Sequence, residues 1–299
     1  MSFLNTFPPD VLVFDNDSLL HARIERGRRG PQIVRAKTHA LAADSFSVGI
    51  TPAPNNADAI AGALRRVRAE QGRLDAASVL LPDTWFRMNI IELASLPQRR
   101  SESEEMVRWG LKRTLPMRPE EFRMAWEQID ANGKIRVLVV AALEKSIRQL
   151  EQIFRNEGID IALIESIGLN LWNAIVAREQ PTDQERLFLY FRKRDFTTGL
   201  FRGTTPLFIR SRQLNGERTL LQEIRLSASY LRSSLQIEKV GRCYIAGNEI
   251  DRSVSELIEK EFGAAAQRVS LGDHAELADS VSATTIESEL VACTGVFTA

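Results

Sequence analysis

Short apolar segments of strand length, set off by turn residues, open this 299-residue chain before the pattern switches to helical spacing. Val11 to Phe14 reads as a buried strand, and Ser18 to Glu25 as its antiparallel neighbour across an Asn16-Asp17 turn. A third strand is predicted from Gln32 to Ala40. From Asn55 to Gly72, the residues Ala59, Ile60, Ala63, Leu64 and Val67 fall on one face, with asparagines at the start and a glycine past the end. A helix is expected there, leading into a strand from Ala77 to Leu81.

A strand from Trp85 to Leu93 precedes the segment with the densest local signals, Ser101 to Pro116. Ser101 is a candidate N-cap with Glu104 reaching back in a capping box. Glu102 and Glu105 suit a first turn, Arg108, Lys112 and Arg113 suit a last turn, and Pro116 stops the winding. Met106, Val107, Gly110, Leu111 and Thr114 recur on one side with Trp109 beside them, giving an amphipathic helix of about four turns. Glu121 to Ile129 and Ile135 to Ala142 form a predicted hairpin across Asn132-Gly133. Ile147, Leu150, Ile153 and Phe154 then mark a helix from Glu144, ended by Gly158 in the C-cap role, and a strand from Ile159 to Ile164 follows.

The second half repeats the opening order. Strands are predicted at Leu187 to Phe191, Phe196 to Phe201 and Leu207 to Leu214, with a turn at Gly203, before a helix from Thr219 to Leu235 that buries Leu220, Ile224, Ala228, Leu231 and Leu235. Arg242 to Ala246 is then a strand and Ile250 to Phe262 a helix. A unit of three strands and a helix opening each half suits two related α/β domains facing one cleft. A last helix, Thr284 to Phe297, with Ile286, Leu290, Cys293 and Phe297 in step, would return to the first domain.

Composition narrows the chemistry. With 44% hydrophobic residues the chain can bury a substantial core, and Lys plus Arg equals Asp plus Glu at 39 each, so net charge offers no case for a nucleic-acid or anionic-membrane partner. Cys243 and Cys293 are far apart, without a CxxC spacing or a nearby histidine, which argues against zinc and against a disulfide framework and fits a reducing cytosol. The N-terminus lacks a basic segment followed by an apolar one, and no run reaches the roughly 18 apolar residues of a spanning helix, so no direct membrane insertion is expected. His21, His39 and His274 are scattered without ligand spacing, and no GxSxG, GxxxxGK[ST], HExxH or GxGxxG pattern occurs.

The order of elements around Ser101 to Pro116 resembles the pilus-assembly platform proteins of the PilM family. There a strand ending in Leu-Pro precedes a strand, a proline, a helix with Glu and Trp, and a second proline before an antiparallel hairpin. Here those features read Leu81-Pro82, Pro97, Glu104 and Glu105, Trp109 and Pro116. The resemblance runs with decreasing sharpness from about Asp10 to the C-terminus. It implies an α/β, actin-like (ribonuclease H-type) two-domain fold with an inserted α+β subdomain. The implied boundaries are 1–84 for the first domain, completed by about 284–299, then 85–164 for the insert and 165–283 for the second domain.

Actin-like ATPases clamp phosphates with two hairpin turns, each an Asp followed by Gly and small hydroxyl residues, so that backbone N–H groups come close to the phosphates. The first turn keeps Asp15 and Ser18 but has Asp17 at the glycine position, where a carboxylate would repel phosphate unless a divalent cation intervened. Asp15 and Asp17 could pair around Mg²⁺; adjacent acidic residues also serve local turn bonding, and that structural reading is preferred. In the second turn, the family pattern sets Phe191 at the Asp position and Lys193 at the Gly position. The run Arg192-Lys193-Arg194 is either a direct phosphate binder or a solvated hairpin tip. Gly247, in Ala246-Gly247-Asn248-Glu249, would face adenosine or simply serve a turn. A degenerate nucleotide cleft follows: no cofactor is expected, and Asp15, Asp17, Ser18 and Gly247 would bind ATP with Mg²⁺ only if the cleft functions.

The resemblance implies a cytosolic scaffold of a type IV pilus or type II secretion inner-membrane platform, not an enzyme. It would be peripheral at the inner membrane through its partners. Its partner would be a PilN-like bitopic protein whose N-terminal cytosolic tail docks between the insert and the first domain, with other platform or assembly-ATPase components further partners. Contacts are expected around Val79 to Leu81, Trp85 to Ile91 and Glu104 to Leu111, with Trp85, Met88, Ile90, Met106 and Trp109 as the candidate residues. The rival is an active ATP-binding actin-like ATPase or kinase-like enzyme, which needs better phosphate turns. A cell-division relative would end in a basic amphipathic membrane helix, and Leu290 to Ala299 shows none.

Overall fold

The computed structural model describes residues 7–28, 30–47, 49, 51–131, 134–180, 182–193, 195–214, 219–247, 250–278, 281 and 287–298. Strands β1 (Asp10–Phe14), β2 (Ser18–Arg26) and β3 (Pro31–Ala40) form an antiparallel meander, followed by the short pair β4 (Phe46–Ser47) and β5 (Ala53–Pro54). Helix α1 (Ala57–Gln71) leads into β6 (Ala76–Leu81), a 3-10 turn at Asp83–Trp85 and β7 (Phe86–Leu93). Then come α2 (Arg100–Leu111), β8 (Phe122–Ala131), β9 (Lys134–Leu143), α3 (Glu144–Asn156), β10 (Asp160–Ser166) and α4 (Ile167–Val176). The second half holds β11 (Glu185–Phe191), β12 (Asp195–Arg202), β13 (Thr205–Gln213), α5 (Leu220–Leu235), β14 (Arg242–Gly247), α6 (Arg252–Phe262), β15 (Ala266–Arg268), β16 (Glu276–Leu277) and α7 (Glu287–Gly295).

The chain divides into two compact units, Met1–Trp85 with Lys145–Glu179 and Val269–Ala299, and Phe86–Glu144 with Gln180–Arg268. In the first, six strands run in the order β10-β6-β1-β2-β3-β16. β1 pairs antiparallel with β2 and parallel with β6, and β10 pairs parallel with β6. Central position explains why β1 is buried along its whole length. Asn56 caps α1 by accepting from Ala59 N, and Ile60, Ala63, Leu64 and Val67 form its buried stripe. α7 packs on α4 and the first three strands. Gly295 permits that approach, because a Cβ there would overlap the Asn170 carbonyl.

In the second unit five strands run β13-β12-β11-β14-β15, with the same antiparallel and parallel senses. The order third, second, first, fourth, fifth is therefore repeated, as the duplicated pattern predicts. This unit also holds the antiparallel sheet β7-β9-β8. One face, with Ile91, Val137, Val139, Ala141 and Phe122, packs under Val107 and Leu111 of α2. β13 lies against β7 and β8, and Arg136 Nη2 donates to the Leu207 carbonyl at 3.1 Å.

Several expectations are corrected. α2 starts at Arg100 with Arg99 as a cap that makes no side-chain bond, so Ser101 lies inside the first turn and no capping box forms. Regular winding ends at Leu111, and Thr114 is exposed beyond it. The expected insert boundary at residue 164 also fails, because β10 is hydrogen-bonded to β6 and α3 leads into it, which places 145–179 in the first unit. α4 was not anticipated: Ile167–Val176 is apolar on nearly all sides and gives no periodic contrast. The expected turns at Asn132-Gly133 and Asn248-Glu249, and the helix start at Thr284, lie outside the described residues.

Candidate functional site

The first candidate turn sits where β1 gives way to β2. Asp15 N donates to the Ser18 carbonyl at 2.8 Å, and Asp15 Oδ1 accepts from Asn16 N at 2.6 Å. Leu41 N donates to the Asp17 carbonyl, while the Asp17 side chain is exposed and Ser18 opens β2 half-buried. These local bonds are what an acidic turn makes for its own closure. Among the described residues, no group of three or more His, Cys, Asp or Glu is placed to hold a metal ion.

The second turn has the same hydrogen-bonded shape, and that shape corrects the residue matching. Phe14 pairs with Leu19, and Phe191 pairs with Phe196, so each hairpin has four connecting residues. Arg192 N donates to the Asp195 carbonyl at 2.9 Å, as Asp15 N does to Ser18. Arg192, not Phe191, therefore stands in the place of Asp15. Phe191 is the last residue of β11, buried and stacked on Phe196 with ring centroids 5.4 Å apart. Arg192 is only 5% exposed, with its Nε 4.0 Å from Asp195 Oδ1, whereas Lys193 is exposed and Arg194 lies outside the described residues. Gly247 has φ +102°, and a Cβ there would overlap the Phe191 carbonyl. Its backbone conformation and the tight β14–β11 approach account for the glycine without a ligand.

A polar cluster that sequence reasoning missed lies at the same end of the first unit's sheet. Val13 is level with Leu80 and Ser166 with Leu81, so Asp15, Pro82 and Ile167 all step off one edge. Just beyond, the Asp83 carboxylate is 1% exposed and its Oδ1 accepts from Ser166 Oγ at 2.7 Å and from Gly168 N at 2.8 Å. Ser166 Oγ in turn accepts from Leu169 N at 3.1 Å, capping α4. Nearby, burial raises the Glu165 carboxyl above its ordinary value, against the opposing bond from Asn170 Nδ2. The Leu-Pro-Asp sequence gave no signal of this, since the partners are more than 80 positions away.

Other titratable groups serve the interior. Beneath α1, His21 Nε2 is 2.8 Å from Asp10 Oδ1, and Arg23 Nη1 donates to Asp10 Oδ2 at 2.9 Å. His39 is buried 3.8 Å from Glu70, and burial holds it below the ordinary histidine value. Burial also pushes the Cys243 thiol up to about 12 and raises Cys293 further, so neither is a nucleophile near neutral pH.

The five candidate docking residues do not share one surface. Trp85 is 2% exposed in the 3-10 turn and packs on Phe46, which packs on Phe14; it belongs to the first unit's core, not to a strand face. Met88 and Ile90 are half-buried on β7, opposite Val140 and Leu138 of β9. Strand alternation turns them away from α2, since Ile91 and Leu93 are the β7 residues beneath it. Met106 and Trp109 lie on α2 itself, half-buried and 76% exposed respectively.

No family model and no curated protein matches the chain. Among solved structures, it is similar to a chain of the PilM–PilN type IV pilus biogenesis complex, at 20% identity and a TM-score of 0.77, with 96% of each chain covered. It is also similar to a Bacteroides thetaiotaomicron VPI-5482 protein with an actin-like ATPase fold and unknown function, at 12% identity and a TM-score of 0.54, covering 100% of this chain and 99% of the other. The fold is thus actin-like, in agreement with the repeated sheet order.

Proposed function

We propose that this chain is a noncatalytic scaffold of a type IV pilus or type II secretion inner-membrane platform, where it holds the cytosolic tail of a PilN-like bitopic membrane protein. The observation that carries this reading is the likeness along 96% of both chains to a structure of PilM with PilN. No helix among the described residues is long and apolar enough to cross a membrane, and in this reading the membrane attachment belongs to the partner. The phosphate turns support a scaffold over an ATPase. Arg192 stands where an acidic residue would face a metal, and Asp17 carries a side chain where phosphate needs a bare backbone.

The tail is proposed to add along the edge of β7, the outer strand of the β7-β9-β8 sheet, beside Met88 and Ile90. An extended peptide suits such a strand, because its backbone groups can pair while alternate side chains enter apolar positions. Trp85 drops out as a contact, since its ring is spent in the core. The test is co-purification with the N-terminal tail of a bitopic membrane protein encoded beside this chain. Met88→Asp should weaken retention by about tenfold or more, because a carboxylate would be desolvated in an apolar contact. Lys193→Ala, at an exposed turn, should bind like wild type. If Met88→Asp and Ile90→Asp both stay folded and bind undiminished, the docking face is wrong.

A further inference from the structure

The Asp83 carboxylate is held in a manner that capping alone does not require. Ser166 already caps α4 through its bond from Leu169 N, as a helix N-terminus ordinarily asks. Asp83 comes from the end of a different strand, is 1% exposed, and takes both the Ser166 hydroxyl and the Gly168 amide. A Cβ on residue 168 would overlap Asp83 Oδ2, so the glycine is what admits the carboxylate. Burying a carboxylate is costly unless donors converge on it, and here they do.

Its place in the fold gives this arrangement a consequence. In open α/β sheets, ligands lie beyond the carboxyl ends of the parallel strands, and anions there are held by helix N-termini. β1, β6 and β10 run parallel side by side in the first unit, and α4 starts at the carboxyl end of β10. We infer that Asp83 is a built-in anion: it fills the α4 position at which a phosphate or carboxylate ligand would otherwise be received, and so closes the first unit to nucleotide phosphate. The inference rests on the noncatalytic reading of the fold and adds the residue that enforces it.

Removing the carboxylate should create the vacancy it fills. Asp83→Ala is expected to lower the thermal midpoint by about 2–6 °C, by leaving buried donors unpaired. Sodium formate, compared with sodium chloride at equal ionic strength, should restore part of that loss saturably in Asp83→Ala and leave the wild type unmoved. Asp83→Asn keeps the shape without the charge; it should accumulate as folded protein, with a midpoint below wild type and no formate response. Equal formate shifts in wild type and Asp83→Ala would overturn the inference, as would an Asp83→Asn midpoint that matches wild type in every anion. Stabilisation of the wild type by inorganic phosphate or ATP would overturn it too. Failure to bind any membrane-protein tail would instead strike the docking reading and leave the Asp83 result standing.

Discussion

His39 sits beneath α1 with its pKa lowered chiefly by burial, Glu70 opposing and Lys37, Arg66 and His21 adding to the effect. His274 is lowered in the same way, its burial only partly offset by the bond to the Ala174 carbonyl and by Asp273. A histidine depressed in the folded state binds its proton more readily when unfolded. Its stabilising contribution is therefore complete above the ordinary value of 6.5 and is lost as pH falls through the folded value. Denaturation curves should show stability falling below about pH 6.5, and His39→Gln should flatten part of that slope. An unchanged slope in His39→Gln would mean that His39 is not the group responsible. At this scale the sequence was a partial guide. The scattered spacing of the histidines carried no sign that all three are buried, and Phe191 was matched to the wrong turn position. A four-residue turn can be slid by one along a sequence, and the Phe191–Phe196 pairing with the Arg192 to Asp195 backbone bond fixes its frame.

Helix ends show the same division between what local chemistry writes and what distant packing decides. Thr219 caps α5 with a full capping box, its hydroxyl accepting from Gln222 N at 3.3 Å while Gln222 Oε1 accepts from Thr219 N at 3.0 Å. Thr219→Ala should cost about 1 kcal/mol by chemical denaturation. Ser101→Ala should change stability by no more than a few tenths of a kcal/mol, since α2 draws no cap from it. A comparable loss in both would restore the capping box predicted for α2. Strongly periodic elements such as α1 and α3 were legible because one polar face contrasts with one apolar face. α4 was not, because its helix is almost wholly buried between other elements. The docking candidates were chosen by residue type, and strand alternation then divided them, with Met88 and Ile90 on one side of the three-stranded sheet and α2 on the other.

The repeated sheet order is the feature of the whole molecule that the sequence carried best, because each half opens with two hairpin-linked strands, a third strand and a helix. Unit boundaries were harder to read, since β10 finds its partner β6 across the whole three-stranded insertion and α7 returns from the C-terminal end to the first unit. The actin-like fold is kept, and in the proposed reading Asp17, a buried Arg192 and the inward-held Asp83 take the positions at which phosphate would be received. The central claim is that this fold serves as a scaffold without nucleotide chemistry. Calorimetric titration of ATP with Mg²⁺ into the purified chain measures this most directly. The account predicts no saturable heat through the millimolar range, in wild type and Asp15→Ala alike; micromolar binding that Asp15→Ala abolishes would contradict it and restore the enzyme reading.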